Sequence, residues 1–402
     1  MVALSIFAAT YLVLAIGHFP GFRIDRTGAA IIGASLMIGT GVLTFEEAVQ
    51  AVDYSTLVLL FGMMIVVANL RFAGFFGWVG VWAMRHAHRP LTLLGAVVAL
   101  SGVFSAFFVN DTVCLALTPL VLEITRAMRR NPVPYLLAVA MASNVGSVAT
   151  VTGNPQNMMI GSLSRIPYAE FAAALAPVAA VGLVLTFLVI AIRYRRELSE
   201  PEPLGVQGLR VRLNKALLWK SVAASAAMIV LFFAGWPVAK VAVVAGALLL
   251  VTRRVNPEKV YHEIDWALLA LFAGLFVVVA GVEKTSLEED LFRFASHLRL
   301  GNVWVLSSFS ALLSNLVSNV PAVLLFRPLV DHLPYPRQGW LTLAMSSTLA
   351  GNLTILGSVA NLIVVHRARH EAKITFWEYL RVGVPLTLLT LAVGAAWLQW
   401  HR

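Results

Sequence analysis

Apolar runs long enough to cross a bilayer recur along the whole chain, and no long polar stretch is left between them for a soluble domain. One integral membrane domain built of helices is the reading this dictates. The 402 residues are 59% hydrophobic and only 12% charged, with a mean hydropathy of +0.83, values that fit no soluble globular class. The first run, "VALSIFAATYLVLAIG", lacks a basic segment before it and a small-residue cleavage site after it, so it reads as a retained first helix and not as a signal peptide. The single cysteine, Cys114, excludes an intramolecular disulfide and any CxxC metal or redox site. A net charge of +10 would suit nucleic acid, but the basic residues lie in short loops between spans. There they act as a topology signal, and no nucleic-acid partner is expected.

The chain also repeats itself weakly. "FSAFFVNDTVCLALTPLV" (Phe104 to Val121) lies without gaps over "LSNLVSNVPAVLLFRPLV" (Leu313 to Val330), sharing Asn110 with Asn319 and a closing Pro-Leu-Val. Asp53 with Asp265, Asn144 with Asn352, and "RIPYAEF" (Arg165 to Phe171) with "KITFWEY" (Lys373 to Tyr379) keep nearly the same offset. Each half reads as three spans, an amphipathic surface helix, a hairpin with a polar tip, an interrupted span and a final span. In the first half these fall near residues 2–17, 28–44, 54–71, 75–86, 91–130, 134–162 and 167–192. The expected organisation is a first repeat at 1–192 with its hairpin at 91–130, a basic linker at 193–215, and a second repeat at 216–402 with its hairpin at 302–332. If the hairpins are re-entrant, each half crosses about five times, and an odd number inverts the second half relative to the first. The fold class expected is thus an all-α polytopic membrane protein of two inverted-topology repeats, with about ten transmembrane helices, two re-entrant hairpins and broken helices at the midplane.

Charge placement supports that count independently. With the linker "RYRRELSEPEPLGVQGLRVRLNK" in the cytoplasm, the cytoplasmic loops hold Arg23 and Arg26; Arg85 and Arg89; Arg126, Arg129 and Arg130; Arg253, Arg254 and Lys259; and Arg367, Arg369 and Lys373. The external loops hold Glu46, Glu47 and Asp53, then Glu283, Glu288, Glu289 and Asp290. Both termini come out external, and the expected location is a bacterial inner membrane crossed many times.

Four polar segments interrupt the apolar sequence: "VNDT" (Val109 to Thr112), "SNVGSVATVTGNPQN" (Ser143 to Asn157), "SNLVSNVP" (Ser314 to Pro321) and "GNLTILGSVAN" (Gly351 to Asn361). Gly153, Pro155 and Gly357 oppose continuous helix there, and backbone freed at membrane depth must line a cavity or pack inside protein. Broken spans and hairpin tips aim half-helix N-termini and unpaired carbonyls at a shared point, the way secondary transporters build a site. The plainer reading, that Asn, Ser and Thr only glue helices together, suits scattered residues such as Ser225 or Thr390. It suits the four breaks less well, because they recur at matching places in both halves. The substrate-binding candidates are Asn110, Thr112, Asn144, Thr152, Gly153, Asn154, Ser318, Asn319, Asn352, Thr354, Gly357 and Ser358.

Asp111 is the sharpest single residue. A buried carboxylate is expensive unless paired, protonated or wet, and its counterpart in the second half is Val320, so the repeat does not require it. Either it pairs with a basic residue such as Arg327 or Arg71, or it is free to carry a proton. Glu123 is expected to pair with Arg126, and Asp53, Asp265, Glu170 and Glu378 to serve the starts of helices. The histidines cluster in loops, as in "RHAHR" and "HRARHEAK", so no metal site is expected, nor any cofactor or catalytic residue.

At these segments the chain resembles the ion transporter superfamily of arsenite permeases, sodium/proton antiporters and citrate, dicarboxylate and sulfate carriers. The features are "FFVNDTVCLALTP", "ASNVGSVATVTGNPQNMMIG", "SNVPAVLLF" and "GNLTILGSVANLIV", and the likeness runs over essentially the full chain. Asn110-Asp111 and the short linker look most like the bacterial arsenite/antimonite efflux permease of the ArsB type. The resemblance implies ten spans and two re-entrant hairpins, with a scaffold and a transport part that move against each other. Dicarboxylate carriers bear Ser-Asn-Thr at both hairpin tips, where this chain has Val109-Asn110-Asp111 and Ser318-Asn319-Val320. A negative Asp111 would repel a dianion by several kcal/mol at low dielectric, which favours a neutral or cationic substrate. Arsenite at neutral pH is mostly the uncharged trihydroxide, and Asn110, Asn144, Thr152, Asn154, Asn319, Thr354 and Ser358 offer matching groups.

The function these observations point to is export of arsenite or antimonite by proton antiport, with Asp111 as the proton-coupling residue. A sodium/proton antiporter of the same fold is the alternative, with a dicarboxylate or other anion carrier behind it. No HExxH, Gly-x-Ser-x-Gly or paired aspartates in facing spans suggest an intramembrane enzyme. No GxxxxGK[ST] is present, so any ATPase would be a separate soluble partner docked at the basic linker.

Overall fold

The structure, a computed structural model, describes residues 1–17, 23–87, 89–199, 213–285 and 298–401. The expected external residues Glu288, Glu289 and Asp290, and the linker positions 200–212, lie outside them. All the regular elements described are helical, as the apolar runs require, and the order of elements in the first half returns in the second. Val2–Ile16, Arg26–Gly39 and Tyr54–Ala73 precede the surface helix Phe75–His86. The hairpin Pro90–Phe107/Asn110–Ala127 follows, then the broken span Val133–Ser147/Pro155–Ser164 and the final span Tyr168–Arg193. Lys215–Phe233, Val238–Leu250 and Trp266–Glu283 lead in the second half to the hairpin Val303–Val317/Asn319–Val330, the broken span Pro336–Ala350/Val359–Ala368 and the final span Phe376–Trp400.

Six of the described helices are long and apolar enough to cross a membrane by length and composition, among them the hairpin arm Pro90–Phe107. Val2–Ile16, Arg26–Gly39, Val238–Leu250 and one piece of each broken span, Val133–Ser147 and Val359–Ala368, are shorter apolar helices. The protein is a multi-pass membrane protein.

The reading of Glu46 and Glu47 as loop residues needs refinement. They open a short helix, Phe45–Ala51, whose Thr44 and Glu47 form a capping box, Thr44 N–H donating to Glu47 Oε2 at 2.8 Å. Pro257–Tyr261 holds the equivalent place in the second half. Asp53 and Asp265 cap the helices they precede, accepting from the N–H groups of Ser55 and Leu268. Glu123 and Arg126 are both exposed, and among the described residues no ion pair links them.

The halves interlock by exchanging partners. Tyr54–Ala73 packs on Val238–Leu250, and Trp266–Glu283 packs on Arg26–Gly39. A Cβ on Gly62 would stand 2.6 Å from the Ala242 carbonyl carbon, and one on Gly274 would stand 2.8 Å from the Ala30 carbonyl oxygen. Gly62 corresponds to Gly274 and Ala30 to Ala242, so one close helix crossing is used twice with roles exchanged. The final spans pack on each other, and helix Val359–Ala368 packs on the first hairpin's second arm, Asn110–Ala127. In return, Pro155–Ser164 meets the second hairpin's second arm, Asn319–Val330. These exchanges bring both hairpin tips and both helix breaks to one place.

Candidate functional site

Six helices begin at one cavity of about 200 Å³. Asn110 and Asp111 open Asn110–Ala127, Pro155 and Gln156 open Pro155–Ser164, and Ser318 to Pro321 lie at the start of Asn319–Val330. Ser358 and Val359 lie at the start of Val359–Ala368, Asp265 and Ala267 at the start of Trp266–Glu283, and Arg26 and Thr27 at the start of Arg26–Gly39. A helix start carries N–H groups without intrahelical partners and a partial positive charge, so the wall offers donors to electronegative atoms.

Asp111 sits in the first turn of its helix, partly exposed on the cavity wall. Of the two alternatives for Asp111, the pairing with Arg327 or Arg71 does not occur. Arg327 Nε lies 3.5 Å from Glu283, and Arg71 pairs with Glu263. Among the described residues Asp111 has no ion-pair partner. Asp265 adds a second carboxylate to the wall and Arg26 adds a guanidinium, whose Nε donates to the Leu14 carbonyl at 3.2 Å. Sequence reading had assigned both to ordinary duties, helix capping and loop charge. Nothing along the chain marks them as neighbours of Asp111.

Of the twelve substrate-binding candidates, the cavity takes Asn110, Ser318, Asn319 and Ser358. Thr112, Asn144, Thr152, Gly153, Asn154, Asn352, Thr354 and Gly357 do not line it, and the hydrogen bonds show why most of these are spent elsewhere. Asn144 Oδ1 accepts from Asn110 Nδ2 at 3.1 Å and from Ser358 Oγ at 3.0 Å. Its Nδ2 donates to Asn352 Oδ1 at 2.9 Å and Asn361 Oδ1 at 3.0 Å. All four positions of that amide are filled, so Asn144 is a buried hub that holds the wall behind the cavity. Asn352 donates onward to the Met141 carbonyl at 3.2 Å. Thr354 bonds Asn315 Oδ1, and Thr152 bonds the Tyr168 hydroxyl at 3.0 Å.

Asn157 and Asn361, which sequence reading left out, brace the two breaks. Asn157 Nδ2 donates to the carbonyls of Ser147 at 3.0 Å and Thr150 at 3.1 Å, 10 and 7 residues back. Asn361 Nδ2 donates to Gly351 at 2.7 Å and Thr354 at 3.1 Å, again 10 and 7 residues back. Each supplies donors for carbonyls that the interrupted helix no longer serves. The helix caps agree: Asn154 caps Pro155–Ser164 and Ser358 caps Val359–Ala368. This register pairs Asn144 with Thr348 and not with Asn352, so that sequence match was off by one helical turn. The contacts obey the corrected register. Asn154 Nδ2 donates to Thr348 Oγ1 at 3.2 Å across the halves, and Ser358 Oγ donates to Asn144 Oδ1 in return.

Gly153 and Gly357 serve the breaks by being small. A Cβ on Gly153 would fall 2.1 Å from the Ser147 carbonyl oxygen, and one on Gly357 2.9 Å from the Gly351 carbonyl oxygen. Cys114 is buried with Sγ 2.9 Å from Ser143 Oγ, and it is not on the cavity wall.

Two buried side-chain oxygens at the site accept nothing among the described residues. Asn110 Oδ1 and Asn319 Oδ1, equivalent in the two hairpin tips, are buried without a donor among the described residues. Next to Asn319, Ser318 is held at φ 81°, ψ 158°, a region that side chains other than glycine's rarely enter. Unpaired acceptors and backbone strain at a hairpin tip are what a ligand-handling loop shows.

Comparison with known proteins agrees with this architecture. The profile of the citrate transporter family, CitMHS, matches residues 11–350. The silicon efflux transporter LSI3 of Oryza sativa subsp. japonica is 30% identical over 96% of this chain and 95% of its own. An uncharacterised transporter of Mycobacterium tuberculosis is 30% identical over 100% of this chain and 98% of its own. A transporter-like protein of Dictyostelium discoideum named arsB is 24% identical over 94% of this chain and 87% of its own. Among solved structures, the YdaH transporter of Alcanivorax borkumensis superposes with a TM-score of 0.63 at 14% identity, covering 98% of this chain and 95% of that one. MtrF of Neisseria gonorrhoeae, from a class described as antimetabolite efflux pumps, gives 0.62 at 13% identity, covering 98% and 93%. These two likenesses bear on the fold alone.

Proposed function

Because the chain belongs to the citrate transporter family of membrane transporters, we propose that it exports an uncharged metalloid hydroxide, arsenite or antimonite, from the cytoplasm in exchange for protons. The observation that carries this reading is Asp111: a carboxylate without an ion-pair partner among the described residues, on a cavity built from both hairpin tips. A small hydroxide has hydroxyl protons to give and oxygens to accept with. Asn110 Oδ1, Asn319 Oδ1 and the Asp111 carboxylate accept hydrogen bonds from its hydroxyls, while the helix-start N–H groups and the Ser318 hydroxyl donate to its oxygens. Asp111 and Asp265 together weigh against a dianion. The silicon efflux relative fits the same class, because hydrated silicon at neutral pH is also an uncharged hydroxide.

In the transport cycle, Asp111 is deprotonated while the hydroxide is taken from the cytoplasm, and it accepts a proton from outside to reset the carrier. The exchanged packing of the halves supports two inverted repeats, 1–192 and 216–402, that rock about the cavity. The charge of the basic linker 193–215 favours the cytoplasmic side of a bacterial inner membrane, with both termini external, and would suit the docking of a soluble ATPase. Arg26 and the converging helix starts favour a small anion as the second reading. A sodium/proton antiporter is the third, with the two unpaired amide oxygens as sodium ligands.

The test is uptake of arsenite and antimonite into everted vesicles with and without an imposed proton gradient, wild type beside Asp111→Asn. Gradient-driven uptake abolished in the variant is expected. Equal uptake in both proteins rejects the role of Asp111. Sodium-induced collapse of the gradient without metalloid uptake transfers the assignment to the antiporter, and citrate-driven flux transfers it to the anion carrier.

A further inference from the structure

A second concave feature lies on the outside of the bundle, between the hairpin arm Asn110–Ala127 and helix Val359–Ala368. It is an open groove of about 570 Å³ walled by Leu115 on one helix and by Leu362, Ile363 and Val365 on the other. His366, Arg367 and Arg369 close one end, and no acidic side chain lines it. Leu362 is 37% exposed. The Arg369 guanidinium is steadied by imidazole nitrogens, 2.8 Å from His366 Nε2 and 3.0 Å from His370 Nε2. Arg367 is exposed, with no hydrogen bond or ion pair among the described residues.

Basic residues at a helix C-terminus suit the helix dipole and the positive-inside pattern. That accounts for the charges, but not for apolar walls running up to them. The combination has the polarity of an anionic phospholipid: hydrocarbon along the walls and a phosphate at the arginines. We propose that this groove binds one anionic phospholipid, with an acyl chain along Leu115, Leu362, Ile363 and Val365 and the phosphate on Arg367 and Arg369. Both walls belong to helices that begin at the central cavity, one at Asp111 and the other at Ser358. A lipid seated between them ties the first hairpin to the second broken span, whichever solute is carried.

The full chain, purified in detergent, is titrated with phosphatidylglycerol, phosphatidylcholine or inorganic phosphate, with bound lipid counted by native mass spectrometry and melting followed in parallel. Phosphatidylglycerol is expected to bind as one retained copy and to raise the melting temperature by about 5 °C, while the other two do neither. Arg367→Gln/Arg369→Gln weakens binding at least about tenfold, whereas Arg253→Gln/Arg254→Gln, an exposed basic pair outside the groove, leaves it unchanged. Ile363→Trp, which fills the groove and keeps both arginines, also loses the lipid. Equal binding of phosphatidylcholine, the same stabilisation by phosphate alone, or binding retained in both groove variants overturns the proposal.

Discussion

Asn144 Nδ2 donates to Asn361 Oδ1 at 3.0 Å, and this bond joins the two broken spans at the level where each gives up its helix. The rest of the Asn361 amide goes to the carbonyls of Gly351 and Thr354. One side chain therefore closes a break within its own half and fastens it to the other half.

Replacing Asn361 by Leu removes all of these bonds and leaves buried carbonyls without donors. Such groups cost about 1–3 kcal/mol each, so Asn361→Leu should destabilise the protein by roughly 3 kcal/mol, and Asn157→Leu by a similar amount. Unfolding of the purified protein measures both. Losses below about 1 kcal/mol in the two variants would show that the breaks do not depend on these amides.

Asn110 and Asn144 are bonded neighbours with different duties. Asn144→Ala opens a hub with every position filled and should cost about 3–4 kcal/mol of stability. Asn110→Ala loses one bond and an acceptor that had no donor, so its cost should stay near 1 kcal/mol, while the KM for transport rises about tenfold. Melting curves and flux at graded solute concentrations separate the two outcomes; equal destabilisation with an unchanged KM would contradict them.

Ser318 is held in backbone geometry that favours glycine. Ser318→Gly should raise stability by about 1 kcal/mol and weaken transport, because the strain and the hydroxyl leave together. Ser318→Val, β-branched and without the hydroxyl, should lose about 2 kcal/mol. A melting temperature lowered by glycine would refute the strain.

Gly153 and Gly39 form a controlled pair. Alanine at Gly153 drives a methyl into the Ser147 carbonyl, and more than about 3 kcal/mol should be lost. Alanine at Gly39, where nothing lies within 4 Å, should be neutral or stabilising by up to about 1 kcal/mol. Comparing expression and melting of the two variants tests whether close packing at the break, and not glycine content in general, is what matters.

The element order was legible in the sequence because each cue is local. Apolar runs mark spans, Gly153, Pro155 and Gly357 mark breaks, and the loop charges mark turns. The hairpin tips were legible for the same reason, since Asn110-Asp111 and Ser318-Asn319 stand out against apolar neighbours. The repeat was found at the hairpins but misregistered by a turn at the broken spans. There the sequence likeness pairs Asn144 with Asn352, while caps and bracing amides pair Asn144 with Thr348.

Sequence by itself determined that this chain is a helical, multi-pass membrane protein with four polar breaks and one unmatched carboxylate, because hydropathy and helix breaking act within a few residues of their cause. Only the tertiary structure decided which polar residues face the cavity. Asn144, Asn154 and Asn352 look as available along the chain as Asn110, Asn319 and Ser358, yet their hydrogen-bonding capacity goes to holding the halves together. Arg26 and Asp265 look like ordinary loop and cap residues, yet they share the wall with Asp111. Those assignments depend on contacts between segments of opposite halves, whose partners are fixed only when the helices exchange places and pack.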